Sequence, residues 1–563
     1  MRVCSGVIAG FNVLRYTSTA AILSPHWRNL GISFIRHPPM RALSDTTKGP
    51  VSPVHVKTKI ELTDVEKKIF DHLIATLRHF HLQTELRVAG GWVRDKLLGK
   101  DCYDIDIAID NMLGSEFVDK VTEYLSFTGE VAQGVGVIPR NPDQSKHLET
   151  ARMRLCNLWI DFVNLRSEDY SENSRIPTME FGTAKDDAYR RDLTINSLFY
   201  NINTGTVEDF TERGIKDLQN GRIVTPLPPK LTFLDDPLRV LRAIRFGARF
   251  EFQLNDELKE AAACQEVKNA LSAKISKERI GTEIDLMISG NHPVKAVTYI
   301  AELSLYETVF PLPSEFEPTL SKGFDRLSVD YLDACWKLHH AIGSSSFSDE
   351  ERRISLYAAL FLPFRNISYK DSKGKKLPVV NFILKESLKR KSSDSEMVIK
   401  IHLLTEKFQK LLPFLTTDKQ SILSVEIIQE TEYLDISDES RIRVVTGFLL
   451  REIKGFWRVA LMISTLLSVN CEDLEIELEQ RSSLFRSSES AIKKLGLESV
   501  WLEKPLVNGK EIMEVLQLNT GGPLVREWQQ KVFGWQLARP HGNTEDCLQW
   551  IKESHLKRAR LHA

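Results

Sequence analysis

The sequence predicts an α+β head, a small mixed sheet with flanking helices, followed by a long region that is almost entirely helical. Two observations carry this prediction. Up to about residue 222, short apolar runs of strand length alternate with amphipathic segments, and after the turn at 226–229 the apolar residues recur at helical spacing. In addition, 563 residues are too many for one hydrophobic core, so two to four domains are expected.

The head elements follow in order from a capping box at Thr63 and Glu66, which predicts the start of a helix. Gly90 and Gly91 predict a turn between a strand and a short helix. The predicted elements after the first helix are a strand at 86–89, a helix at 92–98, a strand at 103–109, a helix at 116–125 and strands at 131–137, 148–155 and 159–165. Beyond the head, the polar, basic segments 370–376 and 385–396 predict loops.

Composition narrows the class of protein. The formal net charge is -1, so a nucleic-acid partner must be met by local basic faces and not by bulk charge. The seven cysteines are scattered without a CxxC pair, which supports neither a zinc site nor a disulfide framework. The longest apolar run of the C-terminal half, 459–469, is too short to span a bilayer, so no membrane partner is expected.

The first 44 residues differ from the rest because they contain no Asp or Glu, while arginines alternate with serine, threonine and apolar residues. This composition is typical of an organelle transit peptide, and a disordered tail is the alternative. The segment therefore predicts a mitochondrial protein. Met40 would give an internal start, and a shorter form made from it would serve the cytoplasm and nucleus.

The pair Asp104 and Asp106 is the strongest indication of chemistry in the chain. Carboxylates two residues apart on a strand project from the same face, and magnesium prefers such hard oxygen ligands and bridges them to substrate phosphates. Gly90 and Gly91, just upstream, let a backbone approach a phosphate closely. These residues predict a nucleotide site with Mg²⁺. Asp161, on another predicted strand, is either a third catalytic carboxylate or an ordinary strand-edge aspartate.

Two further clusters offer groups for a nucleotide. Arg191 and Asp192 supply a donor for phosphates and an acceptor for a ribose, although the same segment could simply cap a helix. Arg239, Arg242 and Arg245 are spaced three apart on a predicted helix that has Asp236 as its cap and Pro237 at its first position. This helix is either a site for a base and its phosphates or a solvated basic face with a capped start.

The order of these clusters resembles a known family. The motifs GGWVRD at 90–95, DID at 104–106, RRDLTIN at 190–196 and DDPLRVLRAIRF at 235–246 are similar to those of class II tRNA nucleotidyltransferases, the CCA-adding enzymes, of eukaryotic type. The segment ISKERIGTE at 275–283 resembles the helical motif that follows in that family. The family often has Glu-Asp where this chain has Asp235-Asp236, and the aspartate that matches the template position, Asp236, is retained.

The resemblance implies a polymerase-β-like nucleotidyltransferase head followed by an all-α neck, body and tail. The expected divisions are a transit peptide or disordered segment at 1–50, the head at 57–222, a neck with the nucleotide-template helix at 223–300, a helical body at 301–500 and a helical, tRNA-binding tail at 501–563. It implies magnesium on Asp104 and Asp106. The residues that it implies for the incoming nucleotide are Gly90, Gly91, Arg94, Arg191, Asp192, Asp236, Arg239, Arg242 and Arg245.

The activity implied by the resemblance is addition of the terminal CCA of tRNA from CTP and ATP without a nucleic-acid template. Its partners are then the acceptor end of tRNA and the two triphosphates. A poly(A) polymerase and an enzyme that adds only CC or only A share the same head motifs and stay open as alternatives. A catalytically inactive RNA-binding scaffold is the alternative of a different class. The sequence leaves the oligomeric state open, with a monomer as one option.

Overall fold

The computed structural model describes residues 54–561, apart from 132, 139–149, 170–177, 319–322, 417–427, 429–430 and 469–473. The predicted transit peptide at 1–50 lies outside the described residues. The N-terminal part of the described chain is an α+β unit and the rest is mostly helical, which confirms the predicted fold class.

A seven-stranded sheet forms the centre of the head, in the order β3-β4-β5-β2-β1-β8-β9. Strands β2 and β5 are parallel and the other neighbours are antiparallel, so the sheet is mixed as predicted. The head strands are β1 Leu86–Ala89, β2 Ile105–Ile109, β3 Val135–Ile138, β4 Thr150–Leu155, β5 Leu158–Asn164, β6 Arg166–Asp169, β7 Thr178–Phe181, β8 Phe199–Asn201 and β9 Thr206–Glu208.

The head helices pack around this sheet. They are α1 Asp64–His79, α2 Gly91–Leu97, α3 Gly114–Phe127, α4 Ala184–Tyr189 and α5 Gly214–Gln219. The predicted capping box begins α1, where the Thr63 amide donates to the Glu66 carboxylate at 2.8 Å and the Glu66 amide donates back to the Thr63 hydroxyl at 3.3 Å. Glu66 also accepts from the Trp92 indole at 3.1 Å and the Lys96 ammonium at 2.7 Å, which fixes α2 against α1.

One face of β2 and β5 is buried and the other is open. Ile107, Ile160 and Phe162 are fully buried, and α3 packs against β4 and β5 on that side. Because successive residues of a strand point to opposite faces, Asp106 and Asp161 lie together on the open face. The alternation of residue types along these strands therefore decides where the site can be.

The structure also corrects parts of the sequence prediction for the head. The strand expected from residue 103 begins at Ile105, and the helix expected at 92–98 begins at Gly91. Strands β6 to β9 were not predicted, because each has only three or four residues and so carries no readable alternation. Their pairing is set by contacts between segments that are far apart in sequence.

The remainder of the described chain is helical except for two short strand pairs. One pair joins Arg222–Ile223 to Gln253–Leu254, and the other joins Ser368–Lys370 to Lys376–Pro378. The helices are α6 Pro229–Asp235, α7 Leu238–Arg249, α8 Asp256–Ala263, α9 Gln265–Lys274, α10 Lys277–Ile288, α11 Pro293–Glu302, α12 Tyr306–Val309, α13 Phe324–Ile342, α14 Asp349–Leu360, α15 Val379–Phe382 and α16 Ser392–Thr416, followed by Asp438–Ile453, Trp457–Ser468, Leu474–Lys494, Gly509–Val515, Pro523–Ala538 and Thr544–Leu561.

The two loop predictions in this region have different outcomes. Residues 371–375 form the loop of a β-hairpin, so the prediction for 370–376 is confirmed except at its two ends, which belong to the strands. The prediction for 385–396 was wrong in part, because the segment includes the end of a π-helical turn at Ile383–Ser387 and the start of α16. Polar side chains there, such as Asp394 and Ser395, are buried by the fold, which composition alone does not reveal. Within the described ranges, none of the helices is long and apolar enough to cross a bilayer.

Candidate active site

A cavity of about 1000 Å³ lies between the open face of the head sheet and helix α7. Its wall is formed by the start of α2, by β2 and the loop before it, by the ends of β5 and α4, and by α7. The predicted site residues on this wall are Gly90, Gly91, Arg94, Asp104, Asp106, Arg191, Asp192, Asp236, Arg239 and Arg242. The fold therefore brings together three clusters that are spread along the sequence from residue 90 to residue 242.

The carboxylates on β2 and β5 repel one another. Asp106 and Asp161 are register partners on the parallel strands β2 and β5. Burial, together with the negative charges of Asp104 and Asp161, raises the pKa of Asp106 to about 6. Burial also raises the pKa of Asp161, while Arg152, 2.8 Å away, opposes that shift. This end of the cavity is thus a place where added positive charge would stabilise the ionised carboxylates.

The donor set suits a magnesium ion that is shared with a substrate. Asp104 and Asp106 supply hard oxygen ligands at the cavity wall. In the part of the chain that the structure describes, no three His, Cys, Asp or Glu side chains form a group that could hold a metal alone. Magnesium is commonly bound by one or two carboxylates together with substrate phosphates, and these two aspartates fit that arrangement.

Gly90 and Arg191 meet at the start of α2. Gly90 has φ +75°, a conformation that favours glycine, and a Cβ there would stand 2.8 Å from the Arg191 guanidinium. Arg191 is held by Asp187 at 2.8 Å, and its guanidinium lies 5.2 Å from the centre of the Phe199 ring. The absence of a side chain at Gly90 therefore lets this arginine reach the cavity wall.

Arg94 connects the head to α7. Its Nε donates to Asp95 at 2.8 Å, and its Nη1 donates to the Asn196 side chain. The guanidinium also lies 5.0 Å from the centre of the Phe246 ring and 4.8 Å from that of Phe250. These contacts fix a buried positive charge at the boundary between the sheet and the basic helix.

Asp236 and Arg239 lie at the start of the helix that the resemblance marks as the nucleotide-template helix, α7. The Asp236 carboxylate accepts from the Leu238 amide at 3.2 Å and from Arg279 at 3.3 Å. The Arg239 guanidinium donates to the Arg190 carbonyl at 2.7 Å and lies 3.8 Å from Glu168. Helix α7 begins at Leu238, one residue after the expected start, so the N-cap is Pro237 and not Asp236, although the Asp236 carboxylate accepts from the first amide of the helix.

Two predicted site residues lie outside the cavity wall. Asp161 sits beside Asp106 but is paired with Arg152, and Arg245 is paired with Glu283 of α10 at 2.6 Å. Arg190, which stands next to Arg191 in the motif that offers donors for phosphates, also lines the cavity. The sequence prediction gave no role to the lining residues Arg166, Glu168, Arg249 and Arg279, of which Arg279 belonged to a quoted motif. Arg166 and Glu168 directly follow the strand of Asp161, which was the one available signal for them.

Residues 86–224 match the poly A polymerase head domain family. Residues 252–316 match a family described as the probable RNA and SrmB-binding site of polymerase A. The matched head contains Asp104, Asp106 and Arg191, and α7 lies between the two matched regions. This fold and this site define a nucleotidyltransferase.

The relatives specify the family. The chain is 34% identical to the mitochondrial CCA tRNA nucleotidyltransferase of Candida glabrata over 88% of this chain and 96% of that protein. It is 32% identical to a tRNA nucleotidyltransferase of Schizosaccharomyces pombe over 88% of this chain and 99% of the relative. The chain belongs to the CCA tRNA nucleotidyltransferase family, which confirms the resemblance found in the sequence.

The fold is also shared with a solved structure. The Bacillus stearothermophilus CCA-adding enzyme in complex with CTP aligns with a TM-score of 0.57, covering 89% of this chain and all of that one. Its sequence identity of 17% makes this a statement about the fold alone.

Proposed function

We propose that this enzyme adds the terminal CCA of tRNA from CTP and ATP without a nucleic-acid template and releases pyrophosphate. The observation that supports it best is a single cavity with Asp104 and Asp106 on one wall and Asp236 and Arg239 on the other. The first pair suits phosphoryl chemistry and the second suits recognition of a base. The named activities of the yeast relatives, CCA tRNA nucleotidyltransferase and tRNA nucleotidyltransferase, point the same way.

In the proposed reaction, the 3′-hydroxyl of the RNA attacks the α-phosphorus of the bound triphosphate. A new P–O bond forms to the 3′-oxygen, the bond from the α-phosphorus to the bridging oxygen breaks, and pyrophosphate leaves with that electron pair. The hydroxyl proton passes to solvent. Arg94, Arg191 and Arg242 lie on the cavity wall, where their positive charges would hold the triphosphate in line with the attacking oxygen.

Asp104 and Asp106 are the residues that would hold Mg²⁺, with phosphate oxygens of the nucleotide completing the coordination. When bound, magnesium activates the attacking hydroxyl and stabilises negative charge on the leaving group. Asp161 lies next to Asp106 and adds negative charge there, so we assign it a supporting position and not that of a direct ligand. Its pairing with Arg152 favours that assignment.

Base choice would come from Asp236 and Arg239. Cytosine and adenine each present an amine donor beside a ring-nitrogen acceptor, so a carboxylate can accept from the amine and a guanidinium can donate to the ring nitrogen. Guanine and uracil present the opposite pattern. Each mismatched polar group would cost on the order of 1–3 kcal/mol. Both side chains bond to protein groups in the structure, so a base would replace those partners.

A direct test incubates the full chain with a tRNA trimmed of its 3′ end and each triphosphate, alone and mixed, followed by sequencing of the products. We expect C, C and A to be added in that order, with UTP and GTP rejected. Long A tracts without C would indicate a poly(A) polymerase. Products that stop after CC, or that need a preformed CC end, would indicate a partial activity. Indifferent use of all four triphosphates would contradict the proposal.

Replacement of a magnesium ligand separates an enzyme from an inactive scaffold. We expect Asp104→Ala to reduce pyrophosphate release with CTP and with ATP by on the order of a thousandfold, because several kcal/mol of charge stabilisation are lost. Asp110→Ala, which changes a carboxylate just beyond the end of β2, is the matched control and should keep activity. Equal turnover by both variants would refute the assigned role of Asp104.

We propose a mitochondrial location, which the acid-free first 44 residues and the mitochondrial name of the Candida glabrata relative support. A second form started at Met40 would be retained in the cytoplasm and nucleus. Import of the full chain and of a chain beginning at Met40 into isolated mitochondria tests both points. Equal import of the two forms would contradict this proposal.

A further inference from the structure

The open face of the head sheet continues past the aspartates toward the sheet edge. On this face β5 carries the exposed Trp159 and the half-buried Asp161, and β4 carries the exposed Arg152 and the half-buried Arg154. The inward residues between them, such as Met153 and Ile160, are fully buried. The same alternation that places Asp106 in the active site therefore places a tryptophan and two arginines on the same face.

These side chains are arranged as an aromatic surface with basic neighbours. The Trp159 side chain is 44% exposed, although large apolar residues usually lie inside. The Arg152 guanidinium lies 5.2 Å from the centre of its ring, and Arg154 is its register partner on β4. Gly134 leaves room for the edge of the ring, since a Cβ there would stand 3.3 Å from Cη2 of Trp159.

The charges of this surface are only partly balanced by the protein. Arg152 is paired with Asp161 at 2.8 Å. Among the residues that the structure describes, the buried Nε of Arg154 has no hydrogen-bond partner. Arg152 is also the register partner of Asp161, which is in turn the register partner of Asp106. The surface is thus continuous along the sheet with the catalytic carboxylates.

The position of the surface relative to the cavity suggests its ligand. The glycines and Arg94 of the cavity wall come from the β1 side of β2, whereas β5 and β4 lie on the opposite side of β2. From strand spacing and rise, Trp159 is about 8 Å from Asp106, the length of one or two stacked nucleotides. An RNA end that is to attack a nucleotide in the cavity must approach the aspartates from outside the cavity.

We infer that Trp159, Arg152 and Arg154 form a stacking platform for the 3′-terminal nucleotides of the RNA that is extended. A base stacks on the exposed Trp159 ring while the arginines meet the adjacent phosphates, the combination by which proteins bind single-stranded nucleic acid without reading its sequence. Such tolerance suits an RNA end whose last base changes with each addition. This inference rests on the proposed function, because it assumes that the extended substrate is an RNA.

The test compares steady-state kinetics of the full chain and its variants on trimmed tRNA. We expect Trp159→Ala to raise the KM for RNA about tenfold and to leave the KM for CTP unchanged, because base–aromatic stacking contributes on the order of this factor per base. Trp159→Phe keeps a ring and should restore most of the affinity. Phe127→Ala, at an even more exposed aromatic residue at the end of α3, is the control and should have no effect.

Substrate changes make the test specific for stacking. An RNA with an abasic ribose at the last or penultimate position should bind weakly to the wild-type protein. Trp159→Ala should not raise the KM for this RNA further. Independently, Arg154→Met should lower the slope of log KM for RNA against log salt by about 0.7, the value for one phosphate contact to a single strand. This second measurement decides the matter if Trp159→Ala fails to fold.

The outcomes separate the inference from the proposed function. The platform is refuted, and the proposed function stands, if the wild-type protein adds CCA and Trp159→Ala leaves the KM for intact RNA unchanged. The same holds if Trp159→Ala raises the KM for intact and for abasic RNA by the same factor. If the wild-type protein extends no RNA with CTP or ATP, the proposed function itself fails.

Discussion

The Arg242 guanidinium lies 2.7 Å from the Asp192 carboxylate and thereby joins the basic helix α7 to the head. Asp192 is buried and also accepts from the Asn196 side chain at 3.0 Å and the Leu193 amide at 2.8 Å. Burial alone would raise the pKa of Asp192, but the charges of Arg242 and Arg239 and the hydrogen bonds from Asn196 and Arg242 together outweigh burial and lower that pKa to about 2. This ion pair thus connects two walls of the cavity.

We expect Asp192→Asn to lower the free energy of unfolding by about 2 kcal/mol, because it leaves Arg242 without its charge partner. The loss should be below that of a fully buried pair, since the Arg242 side chain is 36% exposed. Urea denaturation measures it. Glu123→Gln, which breaks the exposed pair with Lys120, is the control and should change stability by about 0.5 kcal/mol or less. Equal losses of unfolding free energy in the two variants would show that the pair of Asp192 and Arg242 contributes no more to stability than an exposed pair.

Gly90→Ala should impair both stability and nucleotide binding. Its φ of +75° is strained for alanine, which costs about 1–3 kcal/mol. The new Cβ would also stand only 2.8 Å from the Arg191 guanidinium, which would have to move away. We expect a higher KM for CTP and ATP together with a lower melting temperature. Gly455→Ala, at a position with ordinary φ and no atoms within 4 Å, should leave both unchanged. A normal KM in Gly90→Ala would argue against contact of Arg191 with the nucleotide.

Arg239→Ala should relax base choice more than it slows catalysis. Loss of the donor to the ring nitrogen removes about 1–3 kcal/mol of discrimination, so incorporation of UTP relative to CTP should rise by roughly one to two orders of magnitude. Competition between labelled triphosphates measures the ratio. Arg249 also lies on the cavity wall but is not one of the two residues, Asp236 and Arg239, that we propose for base choice. Arg249→Ala should therefore raise the KM for the triphosphates without changing the ratio of UTP to CTP incorporation. An unchanged ratio in Arg239→Ala would refute the template role.

Acid should destabilise the helical region through buried histidines. His402 is buried against the Ala358 carbonyl at 2.8 Å, and burial lowers its pKa from about 6.5 to about 4. Between these values the unfolded chain binds more protons, so stability is retained above pH 6.5 and falls as the pH decreases, by about 3 kcal/mol at most. His402→Gln should flatten the decline of unfolding free energy between pH 7 and 4.5. If the unfolding free energy of His402→Gln falls with pH as steeply as that of the wild-type protein, His402 does not contribute to the acid sensitivity.

Much of the candidate site could be predicted because its signals are local. Asp104 and Asp106 are two residues apart at the start of an apolar strand, and the arginines of α7 recur every three residues among apolar positions such as Val240 and Ile244, which are buried. The short strands β6 to β9 carried no such signal. Arg166 and Glu168 therefore stayed unrecognised although they line the cavity.

The sequence by itself determined the fold class, the family and the chemistry that the aspartate and arginine motifs offer. Only the tertiary structure decided that Arg245 turns to Glu283 and away from the cavity, that Asp161 stands beside Asp106, and that Trp159 extends the same face. The physical reason is that periodicity within one strand or helix is fixed by backbone geometry over a few residues. Strand register and ion pairing instead depend on how segments distant in the chain pack together.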